Sequence, residues 1–248
     1  MRIVTNESLI KKNKGRATRL FFVSLAVLVG GFFIANGQLL GFIPEGAIPE
    51  EIYVLIMPLV LLFGFIATLA SVRMTNLWIR IPRPEKAIPD GLKGISNRAA
   101  LYNYYHFPVR HILVTPQAIF PIITRFQDGK FSVKDKKWKA HKGPIGTLFT
   151  ALRLDGIGDP NREAEIAKQY VRHIVEDWDD ELPIQPIIVF IDPKADVTIE
   201  DPVVPVVYAD SKKSPSLKEY VKSFGEEAPQ FKGDGLKDFL EEWEEATV

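Results

Sequence analysis

Cysteine is absent from this 248-residue chain. That excludes disulfides and thiolate zinc sites and fits a reducing compartment. There is no glycine-rich phosphate loop and no nucleophile elbow. The four histidines, His106, His111, His141 and His173, show no metal-ligand spacing. Net charge is absent too, with 31 basic and 31 acidic side chains, so no global electrostatic argument identifies a partner. The charge is segregated instead. The N-terminal part is basic outside its apolar runs and the C-terminal tail is acidic. Two further absences carry more weight. No residue is charged from Leu20 to Pro44 or from Ile52 to Val72, and no aspartate or glutamate stands between Phe107 and Gln127.

The uncharged runs define a membrane hairpin. Both "LFFVSLAVLVGGFFIANGQLLGFI" and "IYVLIMPLVLLFGFIATLASV" exceed the roughly 20 residues that a helix needs to cross about 30 Å of hydrocarbon. Soluble helices carry a polar face, which these lack. Pro58, in the first half of the second run, is tolerated in a spanning helix as a kink. The basic "KKNKGRATR" suits the head of a cleaved signal peptide, but the apolar run is too long. Phe33 also stands where cleavage after Ala35 needs a small side chain. Lys11, Lys12, Lys14, Arg16 and Arg19 precede the first run, and Arg73, Arg80, Arg83 and Lys86 follow the second. The connecting "IPEGAIPEE" has no lysine or arginine, so both termini are expected in the cytoplasm of a two-pass cell-membrane protein.

The expected organisation is a basic cytoplasmic N-terminus over 1–19 and a hairpin over 20–72, with helices of about 20–43 and 52–72. A linker over 73–96, an α/β domain over 97–225 and an acidic amphipathic tail over 226–248 follow. "RIPRPEKAIPDGLKG" reads as the stiff linker and "NRAALYNYY" as a short helix. Strands are expected in "VRHILVT", "AIFPIITR" and "KFSVKD", the last two joined as a hairpin at Asp128-Gly129. "DPNREAEIAKQYVRHIVEDW" has one apolar face at helical spacing, with Asp159 as N-cap and Pro160 in the first turn. "PIIVFI" reads as a buried central strand, and Pro205 puts "PVVPVVYA" at an edge or bulge. In "SPSLKEYVKSFG", Ser214 is the expected cap and Gly225 the helix end. The fold class is therefore α/β, a two-helix transmembrane hairpin followed by an α/β sandwich.

The order of these elements resembles the nuclease-related domain family (NERD), a branch of the restriction-endonuclease-like PD-(D/E)xK nucleases. The resemblance covers about Arg98 to Phe224. It rests on "RHILVTPQAIFPIITR", "DGKFSVKDKKW", "DPNREAEIAKQ" and "PIIVFI". In the family the first strand reads Asp-His-Val or similar, the second ends in Glu-Val-Lys, and the helix opens with Asn-Pro-x-x-Gln. On that alignment Arg110 stands at the metal-binding aspartate, Ile123 at the second acid and Arg125 at the lysine. Asp159 and Glu163 take the helix asparagine and glutamine positions. Family nucleases hold magnesium with the two carboxylates and activate water with the lysine, and none of those groups remains. Isoleucine offers no oxygen ligand. Two like charges about 4 Å apart repel by roughly 4 kcal/mol at an effective dielectric of 20, and arginine cannot exchange protons at neutral pH. No catalytic residue, metal or cofactor is therefore expected.

Three functional readings stay open. The leading one is an inactive nuclease-like domain acting as a cytoplasmic-face interaction or scaffold module for a protein partner. Its candidate partner-binding stripe is Leu236, Phe239, Leu240 and Trp243 on the acidic tail helix. The tail's other reading is a helix docked on its own domain. A second reading is membrane-tethered nucleic-acid binding by Arg110, Arg125, Lys134, Lys136, Lys137, Trp138 and Lys139, where lysines surround an indole. Anionic headgroups of the bilayer would suit the same lysines. The third is a metal-dependent nuclease with carboxylates relocated to Asp128, Asp155, Asp159 and Glu163. The cluster "EDWDDE" reads as solvated surface. Glycines at Gly30-Gly31 and between Gly37 and Gly41 leave room for a homo-oligomer through close helix packing.

Overall fold

Ahead of the first apolar run the chain forms a strand, β1 (Arg2–Thr5), where the sequence suggested only a basic tail. This computed structural model describes residues 1–38, 40–44, 46–47, 49–152, 154–176, 183–227 and 235–245. Two compact units emerge. One holds the helices α1 (Glu7–Asn36) and α2 (Glu50–Trp78) together with Thr147–Asp155. The other holds Met1–Asn6, Pro82–Gly146 and Gly156–Val248.

The helical unit carries two helices long and apolar enough to cross a membrane. Only 17% and 12% of their apolar windows are buried, which is the reverse of a soluble core hairpin. The helices touch through small residues. A Cβ on Gly31 would lie 2.8 Å from Val60 Cγ1, and one on Gly64 would lie 3.3 Å from Leu28. Gly31 therefore serves contact within the chain. Ser24 and Thr68 return their hydroxyls to backbone carbonyls of their own helices, at Phe21 (2.9 Å) and Gly64 (2.7 Å), so neither polar group is left unsatisfied. α1 stops at Asn36, short of the expected 43. Gly41 has φ +74°, and the Phe42 and Ile43 amides turn back onto the Gly37 carbonyl. α2 continues past the expected 72 to Trp78.

In the other unit the expected linker contains a helix, α3 (Pro84–Gly91), because Ile88 and Leu92 are buried in the domain. The expected helix over 97–105 is instead a strand, β2 (Ala100–Asn103), buried on both faces and hydrogen-bonded on both edges. Then follow β3 (His111–Val114), β4 (Ile119–Arg125), β5 (Gly129–Lys134), β6 (Lys137–Ala140) and α4 (Pro144–Leu152). After these come α5 (Pro160–Ile174), β7 (Ile187–Phe190), β8 (Ala195–Glu200), β9 (Val206–Tyr208), α6 (Leu217–Glu227) and α7 (Gly235–Glu245). One sheet runs β1-β2-β3-β4-β7-β9 and a smaller one runs β6-β5-β8.

The expected hairpin at Asp128-Gly129 does not form. β4 is buried on both faces and lies between β3 and β7, so both of its edges are taken. Gly129, at φ +97°, passes the chain into the smaller sheet, where β5 pairs with β6 and β8. β8 was not anticipated. β7 is the buried inner strand its sequence suggested, and β9, after Pro205, lies at the sheet edge. The last expected cap shifts by two residues. Ser216 Oγ accepts from the Glu219 amide at 3.2 Å while Glu219 Oε2 accepts from the Ser216 amide at 3.0 Å, a reciprocal capping box. Hydrogen bonds from the Ser216 amide first, and then from its hydroxyl, hold the Glu219 carboxyl below the ordinary carboxylate range. Gly225 lies inside α6 rather than at its end.

Adjacent strand residues point to opposite faces of the large sheet. Leu101, Leu113, Phe120, Ile187 and Val189 meet α3 and α6 through Ile88, Leu92, Leu217 and Val221. Tyr102, Ile112, Ile123, Ile188 and Phe190 meet α5, α7 and the small sheet. The result is a mixed α/β domain with a core on each side. α3 approaches so closely that a Cβ on Gly91 would lie 2.1 Å from the Ala209 carbonyl oxygen. Gly91→Ala should therefore cost about 1–3 kcal/mol, read as a drop in the denaturation midpoint. Gly15→Ala, with open space around it, should lower nothing.

Candidate functional site

The site is built where α5 begins against the end of β4. Asp159 Oδ1 accepts from the Arg162 amide at 3.1 Å, and Pro160 opens the helix, as the sequence indicated. That start places Glu163 in the first turn. Ala164, Ala167 and Val171 are buried against the sheet, and two alanines let the helix approach closely. On β4, Ile119, Ile123 and Arg125 share a face by strand alternation. Arg125 therefore meets Glu163 end-on. Its Nη2 donates to Oε1 at 2.8 Å and its Nη1 to Oε2 at 3.1 Å, with a further bond from Nη1 to the Thr124 carbonyl at 3.0 Å. The arginine side chain is 7% exposed and the glutamate 54%. This is a bidentate clasp closed on one side only.

Arg110, Ile123, Arg125, Glu163, Ile166 and Ala167 help to line one cavity of about 250 Å³. Four positions separated along the chain thus converge, and the chemistry they form can be assessed directly. Magnesium takes near-octahedral oxygen ligands. Here the lining is mostly apolar, with Arg110, Arg125 and the Thr124 hydroxyl as its other polar side chains, and its one carboxylate, Glu163, is engaged by Arg125. The donor set does not fit magnesium. Among the described residues no three His, Asp or Glu side chains gather into a group that could hold a metal ion. Of the relocated-carboxylate candidates, Asp159 caps α5, Glu163 holds Arg125, and Asp155 is buried beside Arg80 at 2.5 Å.

The other candidates divide. Lys136, Lys137 and Lys139 are exposed on the small hairpin, and Lys134 pairs with Glu200 at 3.2 Å where β5 and β8 end. Trp138 turns inward, with its ring 6.1 Å from that of Phe190 and its Nε1 buried, so the indole is not a free stacking surface for a base. The tail stripe is likewise committed. Leu236, Phe239 and Trp243 are buried in the domain's own core, with Leu240 packed against it. Trp243 stacks on His106 at 4.5 Å, and Glu244 accepts from the Tyr102 hydroxyl at 2.7 Å and pairs with Arg2. α7 is thus a docked helix, and its apolar stripe is not displayed to a partner. "EDWDDE" beyond Glu176 lies outside the described residues. α4 is not among the expected elements: its apolar residues at 145, 148, 149 and 152 lie in what reads as a polar, glycine-containing connection.

His111, beside Arg110, is structural. Asn103 donates through Nδ2 to Thr5 Oγ1 at 3.0 Å, which leaves its Oδ1 to accept from His111 Nδ1 at 2.8 Å. Burial, with the nearby Arg110 and Arg83 charges, lowers His111 to about 3. Burial alone lowers His106 to about 4. No family model, no curated protein and no solved structure matches this chain.

Two predictions follow from this geometry. Glu163→Ala leaves a nearly buried guanidinium without its partner and should cost about 1–3 kcal/mol. Arg125→Met should cost less, since the abandoned Glu163 is hydrated. Equilibrium unfolding of the detergent-solubilised chain reads both, and the reverse order would contradict the clasp. The histidines set a pH dependence. An unfolded histidine takes its proton near pH 6.5, whereas His106 and His111 stay neutral in the fold until about 4 and 3. Between those limits the unfolded chain binds more protons. Stability is therefore complete above about pH 6.5 and declines as pH falls toward 4, by about 1.4 kcal/mol for each unit of depression traversed. Tm should drop between pH 7 and pH 5, and His106→Phe should flatten part of that slope.

Proposed function

We propose that this chain is a two-pass membrane protein presenting a non-cleaving, nuclease-like α/β domain as an interaction module on the cytoplasmic face. The observation that carries the reading is the Arg125–Glu163 clasp. A fixed cation and its counter-ion occupy the end of β4 where the resembled nucleases keep a lysine, with Ile123 in place of the acid beside it. Two hydrophobic helices support the anchor. The pairing of β1 with β2 supports an even number of crossings, because it joins the segment before α1 to one after α2 within a single sheet. Arginine and lysine flanking both spans, against none between them, support the cytoplasmic side. With the α7 stripe occupied, the face available to a protein partner is the cavity mouth with exposed Arg110.

A second reading, nucleic-acid retention without cutting, draws on the exposed Lys136, Lys137 and Lys139. It differs in salt response, since binding that displaces counterions weakens steeply with ionic strength. The full chain in lipid nanodiscs, given magnesium or manganese and labelled DNA or RNA, should cleave nothing and bind without a steep salt dependence. Metal-dependent cleavage abolished by Asp128→Ala or Glu163→Ala would overturn the proposal in favour of relocated carboxylates. Salt-sensitive binding abolished by lysine-to-glutamate changes would favour the second reading. A protein that co-purifies from gently solubilised membranes, survives nuclease digestion and is lost on Arg110→Glu would assign the face.

A further inference from the structure

We infer that α4 is a third membrane contact, lying in the plane of the bilayer interface beside the cytoplasmic end of the hairpin. The inference rests on the reading that α1 and α2 span the membrane, and its occupant is the lipid surface itself.

Three observations carry it. The first is the surface of α4. "PIGTLFTAL" has no charged residue, and Ile145, Leu148, Phe149 and Leu152 recur at the spacing of one helical face. In a globular helix that face would turn to the core. Here all four are between 53% and 73% exposed, Leu154 just beyond is 41% exposed, and the helix buries no residue. The second is its place. Thr147–Asp155 belongs to the same compact unit as the hairpin, not to the α/β domain that precedes and follows it in the chain. Arg80, two residues past the end of α2, donates from Nη1 to Asp155 Oδ1 at 2.5 Å, and the carboxylate is nearly fully buried. The Asp155 amide in turn donates to the Thr150 carbonyl at 2.9 Å. The C-terminal end of α4 is thereby tied to the point where α2 leaves the hydrocarbon, a level at which Trp78 and Arg80 are themselves typical. The third is charge. Lys136, Lys137, Lys139 and Lys142 all lie in the eight residues before α4, where anionic headgroups would attract them. An uncharged apolar face with basic flanks, held at the membrane–water boundary, is the form of an interfacial helix, whose apolar side sinks about 5–10 Å below the headgroups. A protein partner would leave the tether to α2 without a purpose, whereas the bilayer is already present at that height.

The absence of cysteine permits a direct test on the full chain. Single cysteines at Leu148, Phe149, Leu61 (mid-α2) and Lys222 (exposed on α6) would each carry an environment-sensitive nitrobenzoxadiazole label. Each protein would be reconstituted in vesicles of phosphatidylcholine and phosphatidylglycerol at three to one, with lipids doxyl-labelled at carbon 5 or carbon 12. Leu148→Cys and Phe149→Cys should be blue-shifted and quenched at least twofold more by the 5-doxyl than by the 12-doxyl lipid. Leu61→Cys should show the opposite order and Lys222→Cys should be quenched by neither. If Leu61→Cys is quenched while both α4 positions remain unquenched and water-like, the hairpin stands and the inference is overturned. Blue-shifted but unquenched α4 labels would mean that protein, such as a second copy, covers the face, which equally overturns it. Loss of quenching at Leu61 would remove the spanning reading, and this inference with it.

Discussion

The pairing of β1 with β2 is the constraint on which the architecture turns. Arg2 through Thr5 run parallel to Ala100 through Asn103, and both helices long and apolar enough to cross a membrane lie between those two segments in the chain. A parallel pair needs a long connection, and here that connection contains α1, α2 and α3. The pairing is reinforced from the side: Asn103 Nδ2 reaches Thr5, Arg2 reaches Glu244, and the Asn6 amide bonds the Asn103 carbonyl.

A second constraint sits at the cavity. A nuclease of the resembled kind gathers carboxylates whose mutual repulsion is relieved by a bound cation. In this chain the positive charge is supplied covalently by Arg125, and Glu163 is the carboxylate that answers it. The pair balances its own charge within the protein. Because Glu163 is half exposed, the pair is a positional lock more than a large source of stability.

What could be read from the sequence divides along physical lines. The two long apolar helices, α5 with its Asp159 cap, and the buried strand β7 were all legible, because each follows from a property local to its own residues: missing charge, a cap with helical periodicity, an apolar run. The meeting of Arg110, Ile123, Arg125 and Glu163 at one cavity depends on the β3–β4 register and on the packing of α5, which periodicity does not specify. What failed were pairings. "NRAALYNYY" has acceptable helix formers, and only the neighbours β1 and β3 make Ala100–Asn103 a strand. Asp128-Gly129 has the chemistry of a hairpin turn, yet β4 already has partners on both edges. Trp138 among lysines looked like a stacking platform until Phe190 was placed beneath it. Each error took local chemistry as sufficient where a distant strand or ring decided the outcome.

The distribution of exposed apolar side chains separates the roles more sharply than any single motif. In the α/β domain large exposed hydrophobics are isolated, as at Ile3, Phe107, Ile166 and Val203, and single residues of that kind are ordinary on protein surfaces. On α1 and α2 they are continuous, from Phe21, Phe22 and Val23 through Phe32 and Phe33 on one helix and from Leu59 to Ile66 on the other. On α4 they form a contiguous face of four, which is too many for an ordinary surface and too few for a span. Water would penalise the continuous surfaces in proportion to their area, and the domain's own core has no room for them, since both faces of the large sheet are already covered. On the reading proposed above, lipid removes that penalty for all three helices at once, and the Arg80–Asp155 pair ties the end of the shortest to the end of α2.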